Sequence, residues 1–285
     1  MKEILKILPE KLVKEIVHLD NITEIRVRAN NKCIVYSDLL EVITEYIPDI
    51  QDILDILVKI SSNSIYAIQN DINQGFVIIK GGHRVGVCGE VVVENGKIKN
   101  IKNVGFLNIR VARQIFGAAD KLIDKVVVNN KVRNTLIVSP PGSGKTTILR
   151  DLVRQISSKY KVNIGVVDER SEIASVSNGI ANLDVGLRTD VMTNVSKKIG
   201  IEMLVRSMGL NVIVADEISD LDIDAINYGA STGVSYIYTL HGSSLEDVYK
   251  RSGIKKMIDE GLFDLIVVIS FPGKIDKIIE VGGDK

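Results

Sequence analysis

Hydrophobic and polar positions follow two different patterns along the chain. In the first part, helix-spaced and alternating apolar positions are mixed, which predicts a small α+β domain. Its first elements are a helix over 2–18 that Pro9 breaks or divides, a β-hairpin over 22–36 that turns at Asn30-Asn31, and a helix over 48–60 with Pro48 in its first turn and Ile50, Ile53 and Leu54 on its apolar face.

Glycines separate the β-runs that follow. Gly81-Gly82 divides two runs within 75–93, and the turn at Asn95-Gly96 precedes an alternating strand over 107–113. The glycines around His83 indicate either that the backbone closely approaches another group or that the strands carry bulges, and the sequence leaves both open. We expect the first domain to end near residue 117.

After residue 117 the pattern changes to apolar strands that alternate with helical or loop segments. A helix is predicted over 118–126, and strands are predicted over 135–139, 162–167, 212–215, 235–239, 265–269 and 277–281. Nearly continuous apolar strands alternating with helices predict a mostly parallel sheet covered on both faces. The sequence therefore predicts an α/β domain over 118–285, preceded by a smaller α+β domain over 1–117.

One strand of the second domain runs into a glycine-rich loop. The nine residues that form it are Ser139, Pro140, Pro141, Gly142, Ser143, Gly144, Lys145, Thr146 and Thr147. A strand, this loop and a following helix are the context of a phosphate-binding loop. The glycines let backbone N–H groups face a phosphate, Lys145 reaches the β and γ phosphates, and Thr146 offers its hydroxyl to Mg²⁺. Because Ser139 stands where the pattern has its first glycine, serine must take a glycine-like backbone angle or the loop must avoid it.

Acids follow two other strands of the predicted sheet, at the strand ends where ligands of such sheets bind. Asp216 and Glu217 end one strand, so Asp216 is expected to hold Mg²⁺ and Glu217 to orient or polarise the attacking water. Asp168 and Glu169 end another strand. They are either a second carboxylate pair at the metal or the water, or structural ion-pair partners of Arg170.

Four further polar residues are candidates for contacts between subunits. His241, in the segment Thr-Leu-His-Gly, is placed to sense the γ-phosphate and report hydrolysis to a neighbouring subunit. Arg188, Asp190 and Arg206 are candidates for intersubunit contacts, because an arginine supplied from outside is worth roughly 10³–10⁵ in rate. The alternative for these three residues is a surface charge worth under about 1 kcal/mol.

Composition narrows the classes of function. The 285-residue chain has no net charge and an isoelectric point near 6.8, so no overall basic field indicates nucleic acid, although a local basic groove stays open. No apolar stretch approaches the roughly 20 residues of a membrane span, and the N-terminal acids with Pro9 do not fit a signal peptide. Cys33 and Cys88 lack metal-ligand spacing, so we expect reduced core or near-core thiols of a cytoplasmic protein.

Together these motifs resemble the secretion ATPases of bacterial type II and type IV systems. The resemblance rests on the phosphate-binding loop, the acidic box 168–172, the Asp216-Glu217 pair and the segment 239–242. The segments 81–86, 108–113, 186–191 and 206–208 resemble, more closely, the stage III sporulation protein AA family of endospore-forming bacteria. The secretion enzymes carry Gly-Glu-Ile-Arg-Asp where this chain has Asp-Glu-Ile-Ser-Asp, so the role of that arginine does not transfer.

The resemblance implies a RecA-like ATPase domain that uses ATP and Mg²⁺, follows a smaller N-terminal domain and assembles as a hexameric ring. It implies that nucleotide binds between the two domains, with Arg84, Arg110 and Arg113 on its phosphates. It further implies that hydrolysis powers or assembles a channel between mother cell and forespore, from the mother-cell cytoplasm, with a small membrane-protein partner. Within this hypothesis Glu169 assists catalysis, and His241 couples hydrolysis to motion between subunits.

Two other functions compete with this hypothesis. The first is a nucleic-acid-associated RecA-like ATPase, against which the scarcity of aromatic side chains, 5% with no Trp, argues because few rings are available to stack on bases. The second is a metabolic P-loop kinase, for which the sequence contains no recognisable lid arginine cluster or acceptor site. The sequence also lacks the Asn-Lys-x-Asp motif that selects guanine, which favours ATP over GTP.

Overall fold

The computed structural model describes residues 1–38, 40–61, 64, 68–270 and 273–281. These residues form two compact units. The first comprises Met1–Arg113 and Ser177–Asn182, and the second comprises Gln114–Val176 and the chain from Leu183 onward. Whether 1–117 and 118–285 fold as separate domains stays a prediction.

The first unit is an antiparallel sheet with its helices packed on one face. Its elements are α1 Lys2–Ile7, α2 Glu10–Ile16, β1 Ile22–Arg28, β2 Ile34–Ser37, β3 Glu41–Ile43, α3 Ile50–Ile60, α4 Gln69–Asn73, β4 Phe76–Ile79, β5 His83–Glu94 and β6 Lys97–Arg110. The strand order is β3-β2-β1-β6-β5-β4. Alternate residues such as Ile25, Val27 and Val85 are buried against the helices, and Leu12 and Ile53 contribute to the same core.

The structure agrees with the sequence in most of this unit and corrects it in α3. Pro9 separates α1 from α2, and Asn30 turns the hairpin between β1 and β2 with a φ of 59°. Helix α3 starts two residues later than predicted, because the carboxylate of Asp49 caps it by accepting the N–H of Asp52 at 2.9 Å. Its buried residues are Ile53, Ile56 and Leu57, so Ile50 and Leu54, predicted on the apolar face, are exposed.

Both explanations for the glycines near His83 are correct, at different glycines. Gly81 has a φ of 89°, and a Cβ there would lie 2.8 Å from Nε2 of His83, so the backbone closely approaches the imidazole. Gly89 lies where the register of β5 and β6 shifts, and a Cβ there would lie 2.6 Å from the carbonyl of Lys102. His83 itself is buried and accepts the N–H of Ala112 on Nδ1 at 3.0 Å. Burial lowers the pKa of His83 to about 4.

The second unit is a seven-stranded, mostly parallel sheet with helices on both faces. Its elements are α5 Ile123–Val126, β7 Val127–Val128, β8 Lys131–Val132, β9 Thr135–Ser139, α6 Lys145–Lys159, β10 Ile164–Asp168, β13 Thr189–Thr193, α7 Lys197–Ser207, β14 Val212–Ala215, α8 Ile223–Ser231, β15 Ser235–His241, α9 Leu245–Tyr249, α10 Ser252–Asp259, β16 Leu265–Ser270 and β17 Lys274–Glu280. Between β10 and β13 the chain passes into the first unit and returns, through the short strands β11 Val176–Ser177 and β12 Ile180–Ala181.

The central strands of this sheet are buried on both faces, as their continuous apolar runs predict. The order is β13-β10-β14-β15-β9-β16-β17, and β17 runs antiparallel to β16. Ile137 of β9 faces one core, whereas Leu136 and Val138 face the other. The carboxyl ends of β10, β14, β15 and β9 therefore meet at one edge of the sheet.

Two elements of this unit differ from the prediction. The helix predicted over 118–126 exists only as Ile123–Val126, because the preceding residues form turns in which the N–H of Ala119 binds the carboxylate of Asp151 at 2.9 Å. Strand β13, Thr189–Thr193, is not predicted from the sequence, because it is a half-exposed edge strand without an apolar run.

The remaining expectations from the sequence concern membrane-spanning helices and the two cysteines. Within the ranges that the structure describes, no helix combines the length and the apolarity needed to cross a bilayer. Both cysteines are free; Cys33 is buried as expected, whereas Cys88 is exposed and does not belong to the core.

Candidate functional site

The glycine-rich loop joins β9 to α6 in the geometry expected of a phosphate-binding loop. Gly142 and Gly144 have φ angles of 74° and 85°, which glycine adopts without strain, and Gly144 is the N-cap of α6. Ser139 is the last residue of β9 and pairs in register with His241 of β15, so it keeps an extended backbone. The loop thus avoids the glycine-like angle that the sequence pattern places at this position.

The loop borders a cleft of about 290 Å³ at the carboxyl edge of the sheet. The hydroxyl of Ser143 donates to the carbonyl of Pro140 at 2.7 Å and closes the loop on itself. The cleft is lined by Pro140, Gly142, Gly144, Lys145, Thr146, Thr147, Glu172, Glu217 and His241. Of the predicted loop residues, Ser139 and Ser143 are buried, and Pro141 does not line the cleft.

Two consecutive acids from the end of β14 face the loop. The ammonium of Lys145 lies 3.4 Å from Oε1 of Glu217 and 3.8 Å from Oδ1 of Asp216. The hydroxyl of Thr146 donates to Oδ2 of Asp216 at 2.7 Å. The side chains predicted to bind phosphate and metal are therefore in direct contact with the acids predicted to support the reaction.

Thr239, which sequence reasoning left without a role, fixes both acids from the neighbouring strand β15. Its hydroxyl donates to Oδ1 of Asp216 and accepts the backbone N–H of Glu217 at 2.8 Å. Glu217 has a φ of 55°, which directs the chain out of the strand at this point. Thr239 is fully buried, so its hydroxyl needs these partners, and the sequence signal for it is a hydroxyl residue between the apolar Ile237 and Leu240 of the strand.

Three cationic or proton-donating side chains surround the carboxylate of Glu217. Its Oε1 atom lies 2.7 Å from Nε2 of His241 and 3.4 Å from the ammonium of Lys145. Its Oε2 atom lies 2.8 Å from the guanidinium of Arg170. Burial acts to raise the pKa of Glu217, but the charges of Lys145, His241 and Arg170 outweigh it and hold that pKa below its ordinary value. Nδ1 of His241 is buried and has no hydrogen-bond partner among the described residues.

The acidic box after β10 divides into a structural part and a part that faces the cleft. Asp168 is buried, and its carboxylate accepts the backbone N–H groups of Glu172, Ile173 and Ala174, two of them at 2.8 Å. Burial raises the pKa of Asp168, which these hydrogen bonds partly offset. Glu169 pairs with Lys197 at the start of α7, a residue that sequence reasoning missed. Of the two alternatives for Asp168 and Glu169, pairing with Arg170 does not occur, because Arg170 binds Glu217.

The three arginines that the family resemblance predicts at the phosphates belong to the first unit, where each has a local partner. The guanidinium of Arg84 stacks 3.7 Å from the ring centroid of Phe76. Arg110 pairs with Glu24 at 3.7 Å. Arg113 binds both oxygens of Asp38, at 2.7 and 2.9 Å. Their contact with phosphate stays a prediction.

The candidates for intersubunit contacts lie on the second unit. The guanidinium of Arg188 donates to the carbonyl of Ser157 at 3.1 Å and so holds β13 against α6. Asp190 is exposed on the edge strand β13. Arg206 donates to the hydroxyl of Tyr228 at 3.3 Å. A role of these residues across a subunit interface also stays a prediction.

The residues of the cleft fit Mg²⁺ and a polyphosphate. The Thr146 hydroxyl and the Asp216 carboxylate are hard oxygen donors already within 2.7 Å of each other, and Mg²⁺ is bound through one or two such groups together with phosphate oxygens. The helix N-terminus at Gly144 and the ammonium of Lys145 supply positive charge for the phosphates. The arrangement joins an anion-binding loop to a held carboxylate that is able to orient water.

Known proteins share this architecture. The family model described as sporulation stage III, protein AA, matches residues 1–285. Stage III sporulation protein AA of Bacillus subtilis (strain 168) is 37% identical over 297 aligned residues, which cover 100% of this chain and 96% of the relative. The crystal structure of the pilus retraction motor PilT with bound ADP gives a TM-score of 0.64 at 16% identity, over 92% of this chain and 77% of that one. The ATPase DotB of Legionella pneumophila gives 0.56 at 13% identity, over 87% and 72%.

The two kinds of comparison settle two different questions. At such low identities the solved structures establish the fold, and they confirm a RecA-like ATPase fold with a preceding N-terminal domain. The family model and the Bacillus subtilis relative extend over the whole chain and confirm the resemblance found in its motifs. The chain therefore belongs to the stage III sporulation protein AA family.

Proposed function

We propose that this protein is an Mg²⁺-dependent ATPase of the secretion-motor type. The observation that carries the proposal is that Lys145 and Thr146 of the loop face the consecutive acids Glu217 and Asp216 at 3.4 and 2.7 Å. A phosphate-binding loop and a carboxylate pair in this relation are the two halves of a nucleotide-hydrolysing site. Support for ATP comes from the fold it shares with the ADP-bound motor PilT and the ATPase DotB.

The contacts of Lys145 indicate how phosphate binds. The two acids neutralise Lys145, which is buried and needs a counter-charge. A triphosphate on the loop N–H groups offers Lys145 a denser negative charge, so the ammonium moves from the acids to the phosphates. Loop residues 139–147 thus provide the phosphate site, and Gly142 and Gly144 provide its close backbone approach.

Asp216 and Glu217 have different roles in the proposed reaction. Mg²⁺ held by Thr146 and Asp216 supplies neutralisation of the charge on the phosphates. Glu217 orients and polarises the attacking water, because its carboxylate is held at the cleft in ionised form. Glu169 assists from the neighbouring strand end, and His241, hydrogen-bonded to Glu217, couples hydrolysis to the adjoining subunit.

The decisive experiment measures ATP binding and turnover of Glu217→Gln. We expect ATP to bind with little change and turnover to fall by roughly 10²–10³-fold, because the amide retains the shape of the carboxylate and loses its charge. Glu260→Gln is the matched control, since Glu260 pairs with Lys256 on an exposed helix end. ATP binding with hydrolysis intact in Glu217→Gln contradicts the role of this residue. Absence of nucleotide binding by the unmodified protein contradicts the ATPase.

We further propose that the ATPase powers or assembles a channel between mother cell and forespore, as a hexameric ring with a small membrane-protein partner. Membership of the sporulation family supports the setting, and the fold of the pilus retraction motor supports the mechanical role. Light scattering of Glu217→Gln with Mg²⁺–ATP tests the ring, because this variant binds nucleotide and holds it. An assembly near six subunits is expected, and a monomer at every concentration contradicts a ring assembled by nucleotide alone.

A further inference from the structure

Arg170 reaches the proposed catalytic carboxylate from a different strand end. It follows β10, whereas Glu217 follows β14, and these two strands are parallel neighbours in which Val167 pairs with Ala215. The guanidinium of Arg170 lies 2.8 Å from Oε2 of Glu217. Arg170 takes no part in the phosphate, metal or water contacts of the proposed hydrolysis.

The loop that carries Arg170 is fixed independently of Glu217. The buried carboxylate of Asp168 accepts three backbone N–H groups at 172–174, and the carbonyls of Glu172 and Ile173 accept the guanidinium of Arg150. Ser171 has a φ of 53° and hydrogen-bonds the hydroxyl of Thr193. A loop held in this way presents Arg170 from a rigid base, so the guanidinium restrains the carboxylate that it binds.

The partners of Glu217 differ in what phosphate binding does to them. Lys145 and His241 contact Oε1, whereas Arg170 contacts Oε2. Lys145 belongs to the phosphate-binding loop and leaves Glu217 when a triphosphate arrives. The arriving phosphates also repel the carboxylate, because like charges at short range disfavour each other. Arg170 lies outside the loop and is the cation that stays on Oε2.

We propose that Arg170 is a positioning residue that holds the carboxylate of Glu217 at the cleft after Lys145 has moved to the phosphates. The proposal rests on the proposed ATPase function. Arg170 acts through Glu217, because its guanidinium binds that carboxylate and does not line the cleft beside the loop. Arginine suits the task because its planar guanidinium is always charged and fixes the direction of a carboxylate.

The test separates turnover from affinity in Arg170→Ala. We expect kcat to fall about tenfold while the affinity for ATP changes less than twofold, a figure at the low end for charged hydrogen bonds because the Arg170 side chain is 66% exposed. Arg170→Lys, which keeps the charge, recovers part of the loss. Low millimolar guanidinium restores Arg170→Ala in part, a response that a merely structural role does not produce. Lys256→Ala, which removes an exposed cation remote from the cleft, is the matched control.

A double variant shows whether Arg170 acts through Glu217. In the Glu217→Gln background, Arg170→Ala is expected to cause no further loss of turnover, because the carboxylate that it positions is already gone. Additive losses, an unchanged kcat in Arg170→Ala, or a raised KM with normal kcat each overturn the inference while leaving the ATPase intact. An unmodified protein that binds ATP and does not hydrolyse it overturns both proposals.

Discussion

Charged side chains are used differently in the two compact units. In the second unit, Lys145 and Arg170 come from separate elements and converge on the single carboxylate of Glu217. In the first unit, Arg26 and Arg110 share the carboxylate of Glu24, and Arg113 pairs with Asp38. The difference lies in the glycine-rich loop, because Lys145 belongs to it and brings the convergent charges of the second unit to the cleft. The contacts within the second unit are therefore enough to support a chemical role for its residues. The contacts within the first unit do not support the predicted role of its arginines at the phosphates.

Removing the ammonium of Lys145, which contacts both acids, has the largest expected effect on ATP binding and turnover. Lys145→Ala deletes the charge that the phosphates and both acids share, so we expect ATP affinity and turnover to fall together, with turnover reduced by roughly 10²–10³-fold. Isothermal titration with ATP and a steady-state phosphate assay measure the two quantities. Lys159→Ala, at the other end of the same helix, is the control. Normal turnover in Lys145→Ala places the phosphates elsewhere and removes the basis of the comparison.

The buried imidazole of the first unit gives the next largest effect, on stability. The pKa of His83 is about 4 in the folded chain against 6.5 ordinarily, so between these values the unfolded chain binds more protons. Stability is therefore complete above about pH 6.5 and falls as the pH drops toward 4, by about 3 kcal/mol in total. The α-amino group of Met1 favours neutral His83 and Glu3 opposes it.

Urea unfolding of the unmodified protein and of His83→Gln across this pH range measures the effect. Other carboxylates titrate in the same window, so the difference between the two proteins carries the information. We expect the variant to be less stable at pH 7 and less sensitive to acid, because its amide cannot take up the proton. Parallel pH curves show that the first unit tolerates a charged imidazole at this position.

The smallest expected effect concerns the arginines of the first unit. The family resemblance predicts that Arg84 and Arg110 touch the phosphates, so Arg84→Ala and Arg110→Ala should each weaken ATP affinity by about tenfold, the size of one charge-assisted hydrogen bond. Arg26→Ala, which removes another arginine paired with Glu24, is the matched control. If affinity and turnover stay unchanged in both variants, the first unit is not a nucleotide clamp, and the contacts of Arg84 with Phe76 and of Arg110 with Glu24 are structural.

The sequence predicts best where function depends on consecutive residues. The loop at Gly142 to Thr146 follows an apolar strand, and its neighbours Asp216 and Glu217 also follow one, so strand ends alone place them together. The partners of these residues are harder to predict, because contacts such as Arg170 with Glu217 join segments far apart in the chain. Local spacing suggests instead that Arg170 pairs with its adjacent acids, and backbone N–H groups occupy Asp168 in the folded chain.

The secondary structure predicted from the sequence is wrong at places where polar tertiary contacts determine the conformation. The segment before α5 has helical spacing, yet the Asp151 carboxylate binds its backbone and leaves only one helical turn. Strand β13 has no apolar run and is held at the sheet edge by its register with β10 and by Arg188. In both cases the determining partner lies in another element, which a pattern of neighbouring residues does not contain.

The left-handed backbone of Glu217 sets backbone strain against charge pairing within one residue. A non-glycine residue in this conformation costs of order 1–3 kcal/mol, and the hydroxyl of Thr239 helps to hold it there. Glycine at this position removes the strain together with the carboxylate that neutralises the buried ammonium of Lys145, so its two effects on stability oppose each other. Position 217 is therefore a poor first target for substitutions that are meant to stabilise the protein.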